Sequence, residues 1–438
     1  MDNNTNLAAQ NDYALSRVPA SGRKSIFNVS LVAIGFCISM AGLFTGAALA
    51  AGLNLREAII ASLIGNAILT VYGGLVGVAG AREGVSTAML ARHSFGRKGS
   101  MVISVIIAVT LVGWYAYQVG FFGMTINTMF PNGGFITSVK FASLWGGLLM
   151  MTSAYIGYRG LSIISNIAAP AILITSLMGI IKAVNLTGGW DALFALRPEG
   201  TMSYGAAAVL IVGAFAVGGA IQADITRYSK NAGQSLIATA IGYMIAHSFV
   251  IVAGYLTCLT TGTGDLPAAM IQLGLGIPAL IVLIAAQWTT NDNNLYSSSL
   301  AFSNVVKVKK SKIVLVCGII ATIAGVFGLA DYFVNWLTIL GVGVPPVAGI
   351  IIADYFVINK SKYSFDKDTE YGDISRPAFI AWIIASIIGF SVKWGIQCIN
   401  SLVAGFVLYL VLVYIFKAMN INMFGQTVKD VNIEADFK

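Results

Sequence analysis

Trp288-Thr289-Thr290-Asn291-Asp292-Asn293-Asn294-Leu295-Tyr296 lies midway down an apolar stretch that begins at Leu275. Hydroxyls, amides and one carboxylate stand where hydrocarbon would be expected. In a bilayer an unsatisfied polar group costs several kcal/mol, and a carboxylate at the centre of a span costs roughly 2.5–3.5 kcal/mol even on the lenient insertion scale. Such a run has to face something polar. It reads as a pathway or binding site for an ion or polar solute, enclosed by other helices.

The whole chain supports a membrane setting. It is 57% hydrophobic and 10% charged, with a mean hydropathy of +0.82, against roughly 25% charged residues in a soluble domain. With about 20 apolar residues needed per span, twelve candidate spans emerge: 28–53, 57–80, 101–128, 139–157, 162–184, 204–223, 234–258, 274–305, 313–330, 332–357, 375–393 and 398–416. The expectation is an all-α polytopic protein: a single transporter domain over 26–418, flanked by cytoplasmic tails at 1–25 and 419–438.

The net charge of +8 invites a nucleic-acid reading, but its distribution argues otherwise. With the N-terminus inside, only Arg56, Lys140, Lys182, Arg197 and Lys393 of the 26 Lys and Arg fall outside. That asymmetry is the positive-inside rule. It places both termini in the cytoplasm and makes the Lys307 to Lys312 cluster a topology signal. The polar first 25 residues lack a signal-peptide core, so the first span directs insertion into a plasma or bacterial inner membrane. Cys37, Cys258, Cys317 and Cys398 have no C-x-x-C spacing and read as small apolar residues.

Reaction chemistry has little support. His93 and His247 are isolated from each other, and there is no Walker-type loop. No cofactor is expected, and the chain is not expected to be an enzyme. Transport would then draw on an ion gradient, or the protein would be a channel or passive facilitator.

Glycine marks two unusual spans. The first carries Gly35, Gly42 and Gly46, and the sixth carries Gly213, Gly218 and Gly219. Glycine-interrupted segments in corresponding positions of two halves point to an inverted-repeat transporter with a midplane site, so spans 1 and 6 are expected to break. Gly73, Gly74 and Gly77 in span 2 read as helix packing. Pro345-Pro346 should interrupt and kink span 10. The inner Arg82 to Ser100 segment suits an interfacial helix.

For a cation, Thr289 and Thr290 are the candidates, facing carbonyls freed where span 1 breaks around Gly35 to Ile38. A dehydrated Na⁺ is hard and needs several oxygens. Threonines in spans also back-bond to their own helix, and the sequence leaves both readings open. For a solute, Trp114 and Gln118 share a helix face, and Phe215 stands beside the suspected break in span 6; two aromatic faces and an amide match a flat heterocycle. Lipid-facing or packing roles for these aromatics also stay open. Asp224 and Asp354 read as structural charges at helix ends. Asp292 lies deeper, as a proton carrier or a bridge between helices.

The Trp288 to Tyr296 run, Pro345-Pro346 with Ile351-Ile352-Ala353-Asp354-Tyr355, Val112-Gly113-Trp114 and Arg92-His93-Ser94-Phe95-Gly96 together resemble the nucleobase:cation symporter-1 family, closest to its cytosine permease branch. The resemblance implies twelve helices, a five-plus-five inverted repeat with broken helices 1 and 6, and Na⁺-coupled import. It implies a cation site of carbonyls at Gly35, Ile38 and Ala286 with the hydroxyls of Thr289 and Thr290. It also implies that the solute ring stacks on Trp114 and Phe215 while Asn291 approaches its polar edge. Leu111, Ala214 and Val217 stand where the cytosine branch has polar groups, and Gln118 resembles the amide position of the hydantoin and allantoin branch. The expected solute is therefore a nucleobase or related planar heterocycle, with H⁺ coupling through Asp292 as the alternative.

Overall fold

The computed structural model describes residues 13, 16–156, 158–306, 308–365, 369–424 and 427–429. Lys307 of the basic cluster and most of both tails lie outside them. Without water to bond the backbone, apolar runs become helices, and each expected span contains one. The first holds α1 (Ile26–Cys37) and α2 (Met40–Ala50), bent by 51° relative to each other. Then come α3 (Leu55–Glu83), the short α4 (Thr87–Phe95), α5 (Arg97–Met129), α6 (Val139–Ile156), α7 (Tyr158–Thr187) and α8 (Tyr204–Ala220). The second half runs through α9 (Ala232–Thr261), α10 (Gly276–Val306), α11 (Lys310–Val326), α12 (Leu329–Ile358), α13 (Arg376–Ser391) and α14 (Gln397–Ala418). A small antiparallel ribbon pairs β1 (Glu370–Gly372) with β2 (Thr427–Lys429).

Local signals set the boundaries. Asn54 and Glu57 form a reciprocal capping box at the start of α3, and Gly84, at φ 72°, ends it. Within Arg82 to Ser100 a short helix forms, α4, with Ser86 as its N-cap. Among the described residues, six helices are continuous apolar spans, and the α1–α2 pair makes a seventh. The 31-residue α10 is long enough but is interrupted by its own polar run. Large apolar side chains such as Phe27, Val71, Ile174, Ile320 and Ile387 point outward, as a lipid-facing surface requires.

Glycines set how closely the helices approach. A Cβ on Gly46 of α2 would lie 2.0 Å from the Ile251 carbonyl oxygen, and one on Gly254 of α9 would lie 2.1 Å from that of Leu43. The same reciprocal contact joins α8 and α12: Gly213 would meet Leu337 O at 1.9 Å, and Gly341 would meet Val209 O at 2.3 Å. Backbones touch at both places. Gly73, Gly77 and Gly80 of α3 likewise pack on α8 and the short turn that follows it.

Both expected breaks are present, slightly displaced from the glycines. Gly35 stays helical, and the chain leaves the α region at Ile38 (φ −80°, ψ 91°) and Ser39 (φ −138°, ψ 158°). In α8 the non-helical residue is Phe215 itself (φ −130°, ψ 19°). In span 10 the prolines interrupt the helix as expected, at Val344 between Phe333–Gly343 and Pro345–Ile352, yet Leu329–Ile358 still runs as one span. The Val347 N–H turns to Val344 O, and Trp382 donates its indole N–H to the Gly343 carbonyl at 2.8 Å. The neighbouring helix thus satisfies a group that the prolines release.

Candidate functional site

The two breaks meet through aromatic rings. Phe36, in the last turn of α1, packs edge-on against Phe215 with centroids 5.4 Å apart. Gly218 makes room, because a Cβ there would lie 2.9 Å from Phe36 and 3.0 Å from Phe215. Near the α8 distortion, the Tyr72 hydroxyl donates to the Ala216 carbonyl at 3.1 Å. This is how a broken span stays satisfied in lipid.

Trp114 and Gln118 are buried on one face of α5, and Gln118 Oε1 accepts no hydrogen bond. Trp114 packs edge-on to Phe333 and Trp336 of α12, with centroids at 6.0 and 6.5 Å. Phe44 of α2 stacks on Phe121 at 3.8 Å, and Phe333 meets both rings. Trp114 thus belongs to an aromatic wall between span 1, span 3 and span 10, while Phe215 belongs to the wall of span 1, span 6 and span 7. Among the described ring contacts, Trp114 and Phe215 do not touch each other.

On α10, Thr289 and Thr290 both donate to the Ala286 carbonyl, at 3.0 and 2.8 Å. The hydroxyl hydrogens therefore point into their own helix, and the oxygen lone pairs remain as acceptors. The resemblance makes the Ala286 carbonyl a direct ligand, yet here it already receives two hydroxyls. At 3.6 residues per turn, Asn291 falls on the other side of α10 from this group, while Asp292, three residues after Thr289, flanks it. Asn291 donates to Tyr115 O at 3.3 Å and to Met150 Sδ at 3.2 Å, which turns its amide toward α5 and α6; its Oδ1 takes no donor. Asp292 receives the Ser153 hydroxyl at 2.6 Å, and Trp288 donates to the same Ser153 oxygen at 2.8 Å. Asp292 bridges α10 to α6. Of the span 1 carbonyl positions, Ile38 is buried at the break and Gly35 lies exposed one turn earlier. α10 packs against α2, the helix that begins just after the break.

Asp224, Asp354 and His93 tie helix ends together. Asp224 accepts the Thr87 backbone N–H at 2.7 Å, holding the start of α4, and burial raises its pKa despite nearby Arg227. Asp354 accepts hydroxyls from Tyr409 at 2.6 Å and Tyr363 at 2.5 Å. His93 stacks on Tyr363 at 3.8 Å, and burial lowers its pKa to about 4.

Phe36, Phe44, Phe333 and Trp336 escape sequence reasoning because an apolar ring in an apolar span carries no distinguishing signal. Asn66 and His247 do carry one: each is a polar residue inside an apolar run. Their contact, 2.7 Å between His247 Nδ1 and Asn66 Oδ1, joins positions 181 residues apart.

The profile of a family described as permease for cytosine/purines, uracil, thiamine, allantoin matches residues 17–414. The cytosine permease of Escherichia coli strain K12 is 33% identical over 408 residues, which cover 93% of this chain and 95% of that protein. The inward-facing conformation of Mhp1 superposes with a TM-score of 0.82 at 17% identity, covering 94% of this chain and 94% of that one. Mhp1, a nucleobase-cation-symport-1 family transporter, in a closed conformation with bromovinylhydantoin bound gives 0.75 at 16% identity, covering 92% of this chain and 96% of that one. At those identities the structural likeness is one of fold.

Proposed function

The chain belongs to this family of permeases, which are multi-pass membrane transporters and not enzymes, and from that premise we propose that it imports a nucleobase or related planar heterocycle by Na⁺ symport with alternating access. The observation that carries the reading is the junction of the two broken spans, Ile38–Ser39 in one and Phe215 in the other, bridged by the Phe36–Phe215 contact. A helix that stops inside a membrane leaves its last carbonyls without partners. Such oxygens suit a cation, and the rings beside them suit a flat solute.

In this scheme Trp114 and Phe215 offer their faces to the ring from opposite walls, and Gln118 Oε1 accepts from its edge. Asn291 contributes through its free Oδ1 from the α5 side. Na⁺ is held by the lone pairs of Thr289 and Thr290 with the carbonyls near Gly35 and Ile38. Ala286 acts chiefly by taking both hydroxyl hydrogens, which turns the oxygens outward. Asp292, tied to Ser153, serves as a structural acid. The excess of Lys and Arg on one side supports cytoplasmic termini and a bacterial inner membrane.

The test is uptake of radiolabelled cytosine into liposomes holding the purified protein. Uracil, purines, hydroxymethylpyrimidine, allantoin and hydantoins are added as competitors. The expected winner is planar and uncharged. If no member of the panel is taken up or competes, the assignment of solute class fails.

A further inference from the structure

We infer that His247, on the π-helical turn of α9, is a solute-binding residue whose Nε2 accepts a hydrogen bond from a ring N–H of the transported heterocycle. The inference rests on the solute class proposed above and adds a residue and a contact to it.

His247 is fully buried, and its Nδ1 is engaged by Asn66. Asn66 turns its Nδ2 to Ser248 Oγ, at 2.9 Å, and its oxygen to His247 Nδ1, at 2.7 Å. An oxygen there requires a hydrogen on Nδ1, and a neutral imidazole then carries a bare lone pair on Nε2. That nitrogen is buried and has no partner among the described residues. A buried acceptor left unpaired is destabilising, and such groups in native proteins call for an explanation.

Its position supplies one. The imidazole packs on Phe215 with centroids 4.5 Å apart. Its Cδ2, the carbon bonded to Nε2, would lie 3.4 Å from a Cβ on Gly42, just beyond the break in span 1. The unpaired nitrogen therefore sits where both broken spans converge. The local helix is π-helical from Ile241 to His247, a distortion that occurs often at functional sites. Tyr243, the other polar ring near Phe215, is already committed to Gln222 at 3.1 Å. A planar base stacked at Phe215 carries N–H groups on its rim, and His247 is placed to receive one.

The test measures equilibrium binding of cytosine and of 1-methylcytosine, which lacks the ring N–H, to the full-length protein in detergent. His247→Asn keeps an amide N–H for Asn66 but removes the acceptor at the Nε2 position, whereas His247→Gln restores an acceptor oxygen there. His247→Asn should weaken cytosine binding about 10-fold while changing 1-methylcytosine binding less than about threefold, and His247→Gln should recover cytosine binding to within about threefold of wild type. Cytosine binding unchanged in His247→Asn, or both ligands weakened equally, overturns the inference. Should His247→Asn fail to fold, the wild type decides: 1-methylcytosine binding as tightly as cytosine overturns it, and binding at least about 10-fold weaker sustains it. A wild type that binds neither cytosine nor 1-methylcytosine overturns this contact, and the uptake panel above then decides the solute class separately.

Discussion

A threonine hydroxyl has one hydrogen to donate and two lone pairs to offer, so Thr289 and Thr290 bonding to Ala286 O are oriented, not used up. Thr290→Ala should therefore abolish Na⁺ stimulation of uptake while leaving the fold intact, as uptake with and without Na⁺ would show. Asp292→Asn should leave that stimulation in place, because Asp292 faces Ser153 on α6; loss of coupling in this variant would favour protons. Trp114→Ala should weaken solute binding by roughly 1–3 kcal/mol, the range for a base on an aromatic face, measured by the same binding assay. His93 carries a pH signature. Its pKa falls to about 4 on folding from an ordinary 6.5, so below 6.5 the unfolded chain takes up a proton that the folded chain refuses. The stabilisation is fully present above pH 6.5 and is lost as pH falls through about 4. In His93→Phe, which preserves stacking on Tyr363, melting temperature should depend less on pH across that window.

Helices meet here through glycine, and the two kinds of glycine contact should respond differently to substitution. Gly46→Val drives a side chain into the Ile251 backbone carbonyl and should destabilise the α2–α9 pair by about 1–3 kcal/mol, lowering the melting temperature. Gly218→Val instead meets the rings of Phe36 and Phe215 and should depress uptake more than stability. The glycines of spans 1 and 6 marked the right helices in the sequence, but for a reason other than flexibility. Gly42, Gly46 and Gly213 permit close packing, and the backbone breaks at Ile38, Ser39 and Phe215, where no glycine stands. Thr289, Asn291 and Asp292 were legible as interior because lipid excludes them, whereas Asn293 of the same run is exposed. Which neighbour each residue of α10 meets was not legible: Asn291 turns to Tyr115 and Met150, and Asp292 to Ser153. The prolines of α12 were legible as an interruption, whereas the indole of Trp382 on another helix that satisfies a carbonyl they release is a compensation invisible to local reading.

At the scale of the molecule, the helices form an apolar exterior around a junction where two spans lose their helical geometry side by side. The central claim is that one ion and one flat solute share this junction, so that each strengthens the binding of the other, a reciprocity that linkage demands. Solute moving without the ion would make the protein a facilitator; ion moving without solute would dissipate the gradient. The most direct test is equilibrium binding of radiolabelled cytosine to the purified protein as NaCl replaces choline chloride at constant ionic strength, in the wild type and in Thr290→Ala. Affinity should rise with Na⁺ by about 5- to 150-fold, the usual range of coupling between sites, and Thr290→Ala should flatten the response. A wild-type affinity indifferent to Na⁺ would contradict the account.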